Sequence, residues 1–291
     1  MALINDHAVV LRLFAIHRVA VAGVCLAALA TRPLAAASLV TANLAAALVL
    51  ARLARPLPDE RRCAWRLVLP YAFWIACWIE VGWLYGLLGR IPHDPGIAAA
   101  DLAVFGVHWH VRLAQILPGA AAAEAMHFVY LSYYALVLAP PLVLALRGRR
   151  SDCARFTAIV MGTYLMCFTI YVLLPVQGPR TLLGGAGSPE EGAMAGYADL
   201  LRRTGDSEGT AFPSSHCAGA LAAALAAGAG ATRGLRLALL LWAVLIALST
   251  VYTGNHYALD SFAGIVVAVV VRMALVRGPG YADLRMERSP S

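Results

Sequence analysis

The sequence predicts an all-α integral membrane protein of about eight transmembrane helices, and three observations carry that prediction. Apolar residues make up 61% of the 291 positions and charged ones 13%, with a mean hydropathy of +0.72; a soluble domain is about 45–50% apolar and about 25% charged. The apolar residues gather into runs of roughly 20, the length that a hydrocarbon core of about 30 Å asks of a helix. The cations, all of them arginine, cluster in the short connections between those runs.

Taken in order, the runs lie near 14 to 31, 35 to 54, 67 to 89, 124 to 146, 154 to 175, 214 to 231, 236 to 254 and 256 to 276. The first is also compatible with a secretory signal, because Arg12 and Arg18 precede a small-residue apolar stretch; it is counted as a span. Arg32 and Pro33 punctuate the turn into the second. The third holds Glu80 deep among apolar residues, where an ionisable group is costly and either serves a pathway or pairs inside the bundle; internal pairing is the preferred reading.

Between the third and fourth runs, residues 91–123 are half apolar and contain Pro92, Pro95, Gly96 and Pro118, which suits an outer interfacial helix better than a span. His93, Asp94, Asp101, His108 and His110 crowd this segment. A spacing of two sends the His108 and His110 rings to different sides of a helix, so packing or head-group contact is expected there, not a metal. Between the fifth and sixth runs, residues 181–210 are glycine-rich early and acidic late, as a lid or a disordered connector would be. The chain reads as one domain: two additional N-terminal helices over 1–64, a six-helix core over 65–277, and a cytoplasmic tail over 278–291.

The net charge of +7 would suggest a nucleic-acid partner in a soluble protein, but here the arginines orient a membrane protein, and no nucleic acid is expected. The six cysteines, at 25, 63, 77, 153, 167 and 217, form no CxxC pair, so neither a disulfide framework nor a zinc site is expected. Arg52, Arg55, Arg61, Arg62 and Arg66 mark one connection, Arg147, Arg149, Arg150 and Arg155 a second, Arg233 and Arg236 a third, and Arg272, Arg277, Arg285 and Arg288 the end of the chain. Assigned to the cytoplasm, they place both termini there, in a membrane of the bacterial inner type. Parity then puts Arg180, His216 and His256 together on the outer face.

Those residues form a constellation for phosphoryl chemistry. His256 and Asp260 are four apart at a helix start, so they share a face, and the carboxylate can accept a hydrogen bond from the ring. That bond would fix the tautomer and leave the other ring nitrogen free to attack phosphorus. His216 follows Ser214 and Ser215 in the first turn of its own helix, where hydroxyls and free N–H groups can hold phosphate oxygens. A second imidazole there can protonate the leaving oxygen, an effect of roughly 10²–10⁴ in rate. Arg180, in Gln177-Gly178-Pro179-Arg180, offers a planar fork to the phosphoryl group. Gln177, Tyr252, Asn255 and Tyr257 are further candidates for substrate contact. The design requires no metal and no cofactor.

Pro213-Ser214-Ser215-His216 and the stretch from Ser249 to Asp260 carry a resemblance. The chain resembles the type-2 phosphatidic acid phosphatase superfamily, whose signature runs KxxxxxxRP, PSGH and SRxxxxxHxxxD. It departs from that signature in lacking the first-motif lysine, in Ser215 where the motif has glycine, and in Thr250 where it has arginine. Ser249-Thr250-Val251-Tyr252, Asn255-His256-Tyr257, Asp101 to Gly106 and Pro179-Arg180 are similar to the inositol phosphorylceramide synthase branch. The resemblance covers about residues 65 to 275 and is most specific in the last third.

This resemblance implies a six-helix catalytic core and a metal-independent phosphohistidine intermediate. His256 would be the nucleophile, Asp260 its partner, His216 the general acid, and Ser214, Ser215 and Arg180 the phosphate contacts. The expected partners are a lipid phosphate or phospholipid substrate, the bilayer and an alcohol acceptor, so that a phosphatase and a head-group transferase both stay open. The rival from another class is a transporter using Glu80, His216, His256 and Asp260 as a proton relay. Transporters place such groups on broken helices within inverted repeats, and here they stand at helix starts with no internal symmetry.

Overall fold

A computed structural model of the chain describes residues 3–26, 29, 32–54, 65–88, 92–183, 192–227 and 231–277. The described residues form thirteen helices and no strand. In chain order they are α1 (Leu3–Leu26), α2 (Pro33–Leu53), α3 (Trp65–Leu88), α4 (Asp94–Phe105), α5 (Trp109–Ile116), α6 (Ala120–Leu131), α7 (Tyr133–Leu146), α8 (Arg150–Leu173), α9 (Pro179–Leu183), α10 (Ala193–Gly205), α11 (Ser215–Ala227), α12 (Arg233–Tyr252) and α13 (Ala258–Arg277). The tail expected from 278 onward, and Arg55, Arg61 and Arg62, lie outside the described residues.

Among the described residues, six helical stretches are long and apolar enough to cross a bilayer: Ala8–Leu26, Pro33–Leu53, Ala120–Leu146, Arg150–Leu173, Arg233–Tyr252 and Ala258–Val276. Two of the eight expected spans are not among these six. The third coincides with α3, a largely apolar helix of 24 residues. The sixth, α11, is a helix of 13 residues. The fourth is interrupted at Ser132, which separates α6 from α7; its hydroxyl donates to the Val129 carbonyl at 2.5 Å and accepts Trp242 Nε1–H at 2.9 Å.

The bundle is built round α8, against which α1, α3, α7, α11 and α13 all pack. A helix enclosed on every side must be apolar all round. Phe156, Val160, Met161, Tyr164, Cys167, Phe168 and Tyr171 are accordingly buried. Helix α11 turns alanines to its neighbours, and small residues let helix backbones approach closely. At Gly264 of α13 a β-carbon would lie 2.4 Å from the Ser214 carbonyl oxygen, so the bare backbone lets α13 press against the start of α11.

The first two helices join this bundle through buried polar contacts. Arg18 of α1 pairs with Glu80 of α3 and donates to Asn43 Oδ1 of α2 at 3.2 Å, while Asn43 Nδ2 donates to Glu80 Oε1 at 3.0 Å. Glu80 is thus paired internally, away from the histidines. Removing one partner of a buried pair costs about 3–5 kcal/mol, whereas replacing both by apolar residues is far milder. Glu80→Leu should therefore lower the melting temperature in detergent more than the double change Arg18→Leu/Glu80→Leu. Equal or greater loss in the double variant would contradict the pairing.

Two connections hold helices that apolar run length did not reveal. Residues 91–123 hold two short helices, α4 and α5, not one, with Gly106 in the left-handed conformation ending the first. Residues 181–210, expected as a lid or a disordered connector, contain α10, which packs on α6. The Glu124 carboxylate caps α10 by accepting N–H bonds from Met194 and Ala195, each at 3.1 Å.

Candidate active site

The start of α11 is pinned from two sides. The Ser214 hydroxyl caps the helix by accepting Cys217 N–H at 3.3 Å, and its own N–H donates to the Asp260 carbonyl at 2.9 Å. From α8, the Tyr171 hydroxyl donates to the Pro213 carbonyl at 2.9 Å and accepts Ser215 N–H at 3.1 Å. Two of the amides expected to be free for phosphate are thus already bonded, and Ser214 and Ser215 are both buried. His216 is the residue of this motif that reaches the adjoining cavity.

His256 lies in the turn between α12 and α13, where Gly254 takes the left-handed conformation. Its Nδ1 is 2.9 Å from the Ala211 carbonyl oxygen. A carbonyl can only accept, so Nδ1 carries the proton and Nε2 carries the lone pair. Asp260 was expected to make that bond. Its Oδ2 is 3.6 Å from Nδ1, beyond hydrogen-bond range, and instead accepts Tyr257 N–H at 2.8 Å. The carboxylate is near enough to attract a developing imidazolium, but the tautomer is set by Ala211, a residue that adjoins Phe212-Pro213.

The two imidazole rings have their centroids 5.7 Å apart. The His216 ring also stacks on Tyr130 at 4.8 Å and meets Tyr133 edge-tilted at 4.5 Å. Both histidines border a cavity of about 420 Å³ that is also lined by Arg180, Gln177, Asn255 and Asp206. Arg180 donates to the Thr253 carbonyl, which anchors its guanidinium beside the His256 turn. Gly178, at φ +99°, is required here because a β-carbon would sit 2.6 Å from the Asn255 carbonyl oxygen.

Of the other expected contacts, Gln177 and Asn255 face the cavity. Tyr252 and Tyr257 do not: the Tyr252 hydroxyl donates to the Leu117 carbonyl at 2.9 Å, and Tyr257 is buried with Ala98, Val176 and Ala211. Tyr252 thus ties the end of α12 to the segment after α5, and Tyr257 packs into the small core beneath the His256 turn.

Three carboxylates near the site escaped the sequence reading as site residues. Asp94 and Asp101, both buried, lie on α4 seven positions apart, two turns along one face. Asp94 accepts Gln177 N–H at 2.8 Å on one oxygen and Gly178 N–H at 2.7 Å on the other, fixing the segment that bears Arg180. Asp101 accepts Leu259 N–H at 2.8 Å, serving as a cap for α13 supplied from another helix. Burial raises the Asp101 carboxyl, with the Leu259 N–H pulling it back. The spacing of seven was the available signal.

Asp206, at the end of α10, is the third, and no motif marks it. Loss of hydration in the recess raises its carboxyl to about 6, against the pull of His256 and Arg202. Its neighbours are held by α3: Trp78 Nε1–H donates to the Gly205 carbonyl at 2.7 Å, and the Ser207 hydroxyl donates to the Trp78 carbonyl at 2.8 Å.

A sequence profile of the PAP2 superfamily matches residues 97–274, which run from within α4 to within α13 and include Arg180, His216, His256 and Asp260. The chain belongs to the PAP2 superfamily. No curated protein and no solved structure matches it. Membership of the PAP2 superfamily suggests activity of the phosphatase or phosphotransferase type on a lipid phosphate in the membrane.

Proposed function

We propose that this PAP2 protein is a metal-independent lipid phosphatase or phosphotransferase that cleaves a lipid phosphoester at the outer face of the membrane, with residues 65–277 as its catalytic core. The observation that carries the reading is the placement of two imidazoles, 5.7 Å apart on separate helices, at one cavity with Arg180.

The neutral His256 offers its Nε2 lone pair to phosphorus. As the nitrogen–phosphorus bond forms, the ester bond to the leaving oxygen breaks, and His216 passes its proton to that oxygen. Arg180 counters charge on the phosphoryl oxygens, and the Asp260 carboxylate stabilises the imidazolium. In the second half, His216 takes a proton from water or an alcohol, whose oxygen attacks phosphorus while the bond electrons return to Nε2. Water gives a phosphatase and an alcohol gives a transferase. Thr250, Tyr252 and Asn255 resemble the inositol phosphorylceramide synthase form of the third motif and favour transfer.

Incubating purified protein with lipid phosphates and candidate alcohols, and following free phosphate against new lipid, separates the two outcomes. Neither product from any pairing would contradict both.

The cavity's charges make a pH prediction. Asp206 and Glu208 face Arg180, Arg202, Arg203, His216 and His256 across it. Above about 6 the Asp206 carboxylate is anionic and opposes an anionic phosphate. KM for a lipid phosphate should rise as pH increases through that value, and Asp206→Asn should remove the rise. Taking the ratio of variant to wild type at each pH cancels the substrate's own ionisation. A ratio constant from pH 5 to pH 8 would contradict this role for Asp206.

A further inference from the structure

A second cavity, of about 380 Å³, opens among α7, α8, α11, α12 and α13. It lies at the opposite end of the bundle from the histidines: Arg155 borders it, while Tyr171, on the same helix, holds the start of α11. Sixteen residues of α-helix separate the two ends by roughly 24 Å.

This cavity has two unlike parts. Arg147, Arg149, Arg155 and Arg272 converge on it, and among the described residues the only lining carboxylate is Asp152. Asp152 already pairs with Arg149 at 2.7 Å and lies 3.8 Å from Arg155. Arg272, entering from α13, makes no ion pair among the described residues. Below this cationic mouth the walls are Val143, Leu144, Phe156, Leu235 and Leu239.

Among the described residues, four arginines and one carboxylate border the apolar cleft, so its mouth carries net positive charge that attracts anions. A small soluble anion would neutralise the mouth and leave the apolar walls against water. An anion that carries a hydrocarbon chain satisfies both parts, and guanidinium forks match phosphate oxygens two at a time. Basic pockets between transmembrane helices recognise anionic head groups on this physical basis.

We infer that the cleft is a binding site for one anionic phospholipid, its phosphate held by Arg149, Arg155 and Arg272 and an acyl chain lying along Val143, Phe156 and Leu239. This site is independent of the catalytic reading. Because α8, α11 and α13 each run from the cleft to the histidine site, an occupied cleft braces the helices that carry the catalytic groups, and binding to the folded state alone raises its stability.

The test is the melting temperature of the full-length protein in detergent, titrated with phosphatidylglycerol, with phosphatidylcholine of the same chains, and with inorganic phosphate. Phosphatidylglycerol should raise it by several degrees, and the other two should do so much less. Arg180→Gln, which weakens anion binding at the histidine site, should keep the response. Arg155→Gln/Arg272→Gln should shift its midpoint at least tenfold to higher lipid concentration.

Equal responses to the two lipids would mean packing by bulk lipid and would overturn the proposal. A response to phosphate equal to that of phosphatidylglycerol would assign the cleft to a free anion and overturn it too. So would a response lost in Arg180→Gln but intact in the double variant, since the lipid would then sit at the histidines. If the double variant does not fold, Arg272→Gln alone is measured by native mass spectrometry, where retention of as much phosphatidylglycerol as wild type would overturn the assignment.

Discussion

His256→Ala is expected to lower kcat by on the order of 10⁴ or more, leaving folding and lipid binding intact, because loss of a nucleophile removes the covalent route itself. His216→Ala removes proton transfer alone and should cost about 10²–10⁴. The two losses should part company when the leaving group is changed. A phosphoester of an acidic phenol needs no proton on departure, so it should recover much of the His216→Ala loss in the first step and none of the His256→Ala loss. Comparable rescue of both variants, or substantial turnover by His256→Ala, would contradict the division of labour. The transporter reading predicts no such dependence on the leaving group.

The second large effect is expected at α4, whose two buried carboxylates touch backbone and not the cavity. Asp101→Ala strands Leu259 N–H at the start of α13, and a buried unpaired donor costs about 1–3 kcal/mol. The displaced helix start would carry the His256 turn with it, and a misplacement of about 1 Å in a reacting group can cost about 10² in rate. Asp101→Ala should therefore lower kcat by about 10² with KM little changed, while Asp101→Asn, which keeps an acceptor oxygen, should retain most activity. Asp94 differs because both of its oxygens are used, one by Gln177 and one by Gly178. Asp94→Asn would set an amide N–H against a backbone N–H, so it should be nearly as harmful as Asp94→Ala. Its effect should fall on KM, because the segment it fixes bears Arg180. Full activity in Asp94→Asn, or a loss in Asp101→Ala that tracks only melting temperature, would deny these residues a positioning role.

The features legible in the sequence were those set by local periodicity and parity. Apolar run length located the six described helices long and apolar enough to cross a bilayer, and alternation of loop charge brought His216, His256 and Arg180 to one end before any geometry was known. A spacing of four correctly put Asp260 beside His256. It could not reveal that Ala211, 45 residues away, would offer a nearer acceptor at 2.9 Å and take the hydrogen bond. Nor could it reveal that at the start of α11 the Ser215 N–H goes to Tyr171 of another helix and the Ser214 N–H to the Asp260 carbonyl.

Other features depended on tertiary context that a single chain pattern does not encode. Asp94 looked like part of a polar interfacial segment because its partners, Gln177 and Gly178, lie more than 80 positions later. Helix α10 escaped a reading built on apolar runs of about 20 because it is a 13-residue helix that mixes Met194, Leu200 and Leu201 with Asp199, Arg202 and Arg203, and its cap comes from Glu124 of α6. Of the eight runs read from the sequence, six coincide with described helices long and apolar enough to cross a bilayer, and α11 is described over 13 apolar residues.

The most direct test of the central claim, that the reacting phosphorus passes onto His256, is to quench the enzyme during turnover of a lipid substrate labelled at phosphorus and locate the label by peptide mapping under alkaline conditions. The account predicts label on His256, none in His256→Ala, and, with a labelled acidic-phenol ester whose departure needs no proton, more in His216→Ala, where the second step lacks its base. Steady product formation with no labelled residue, or with the label on any other side chain, would contradict it.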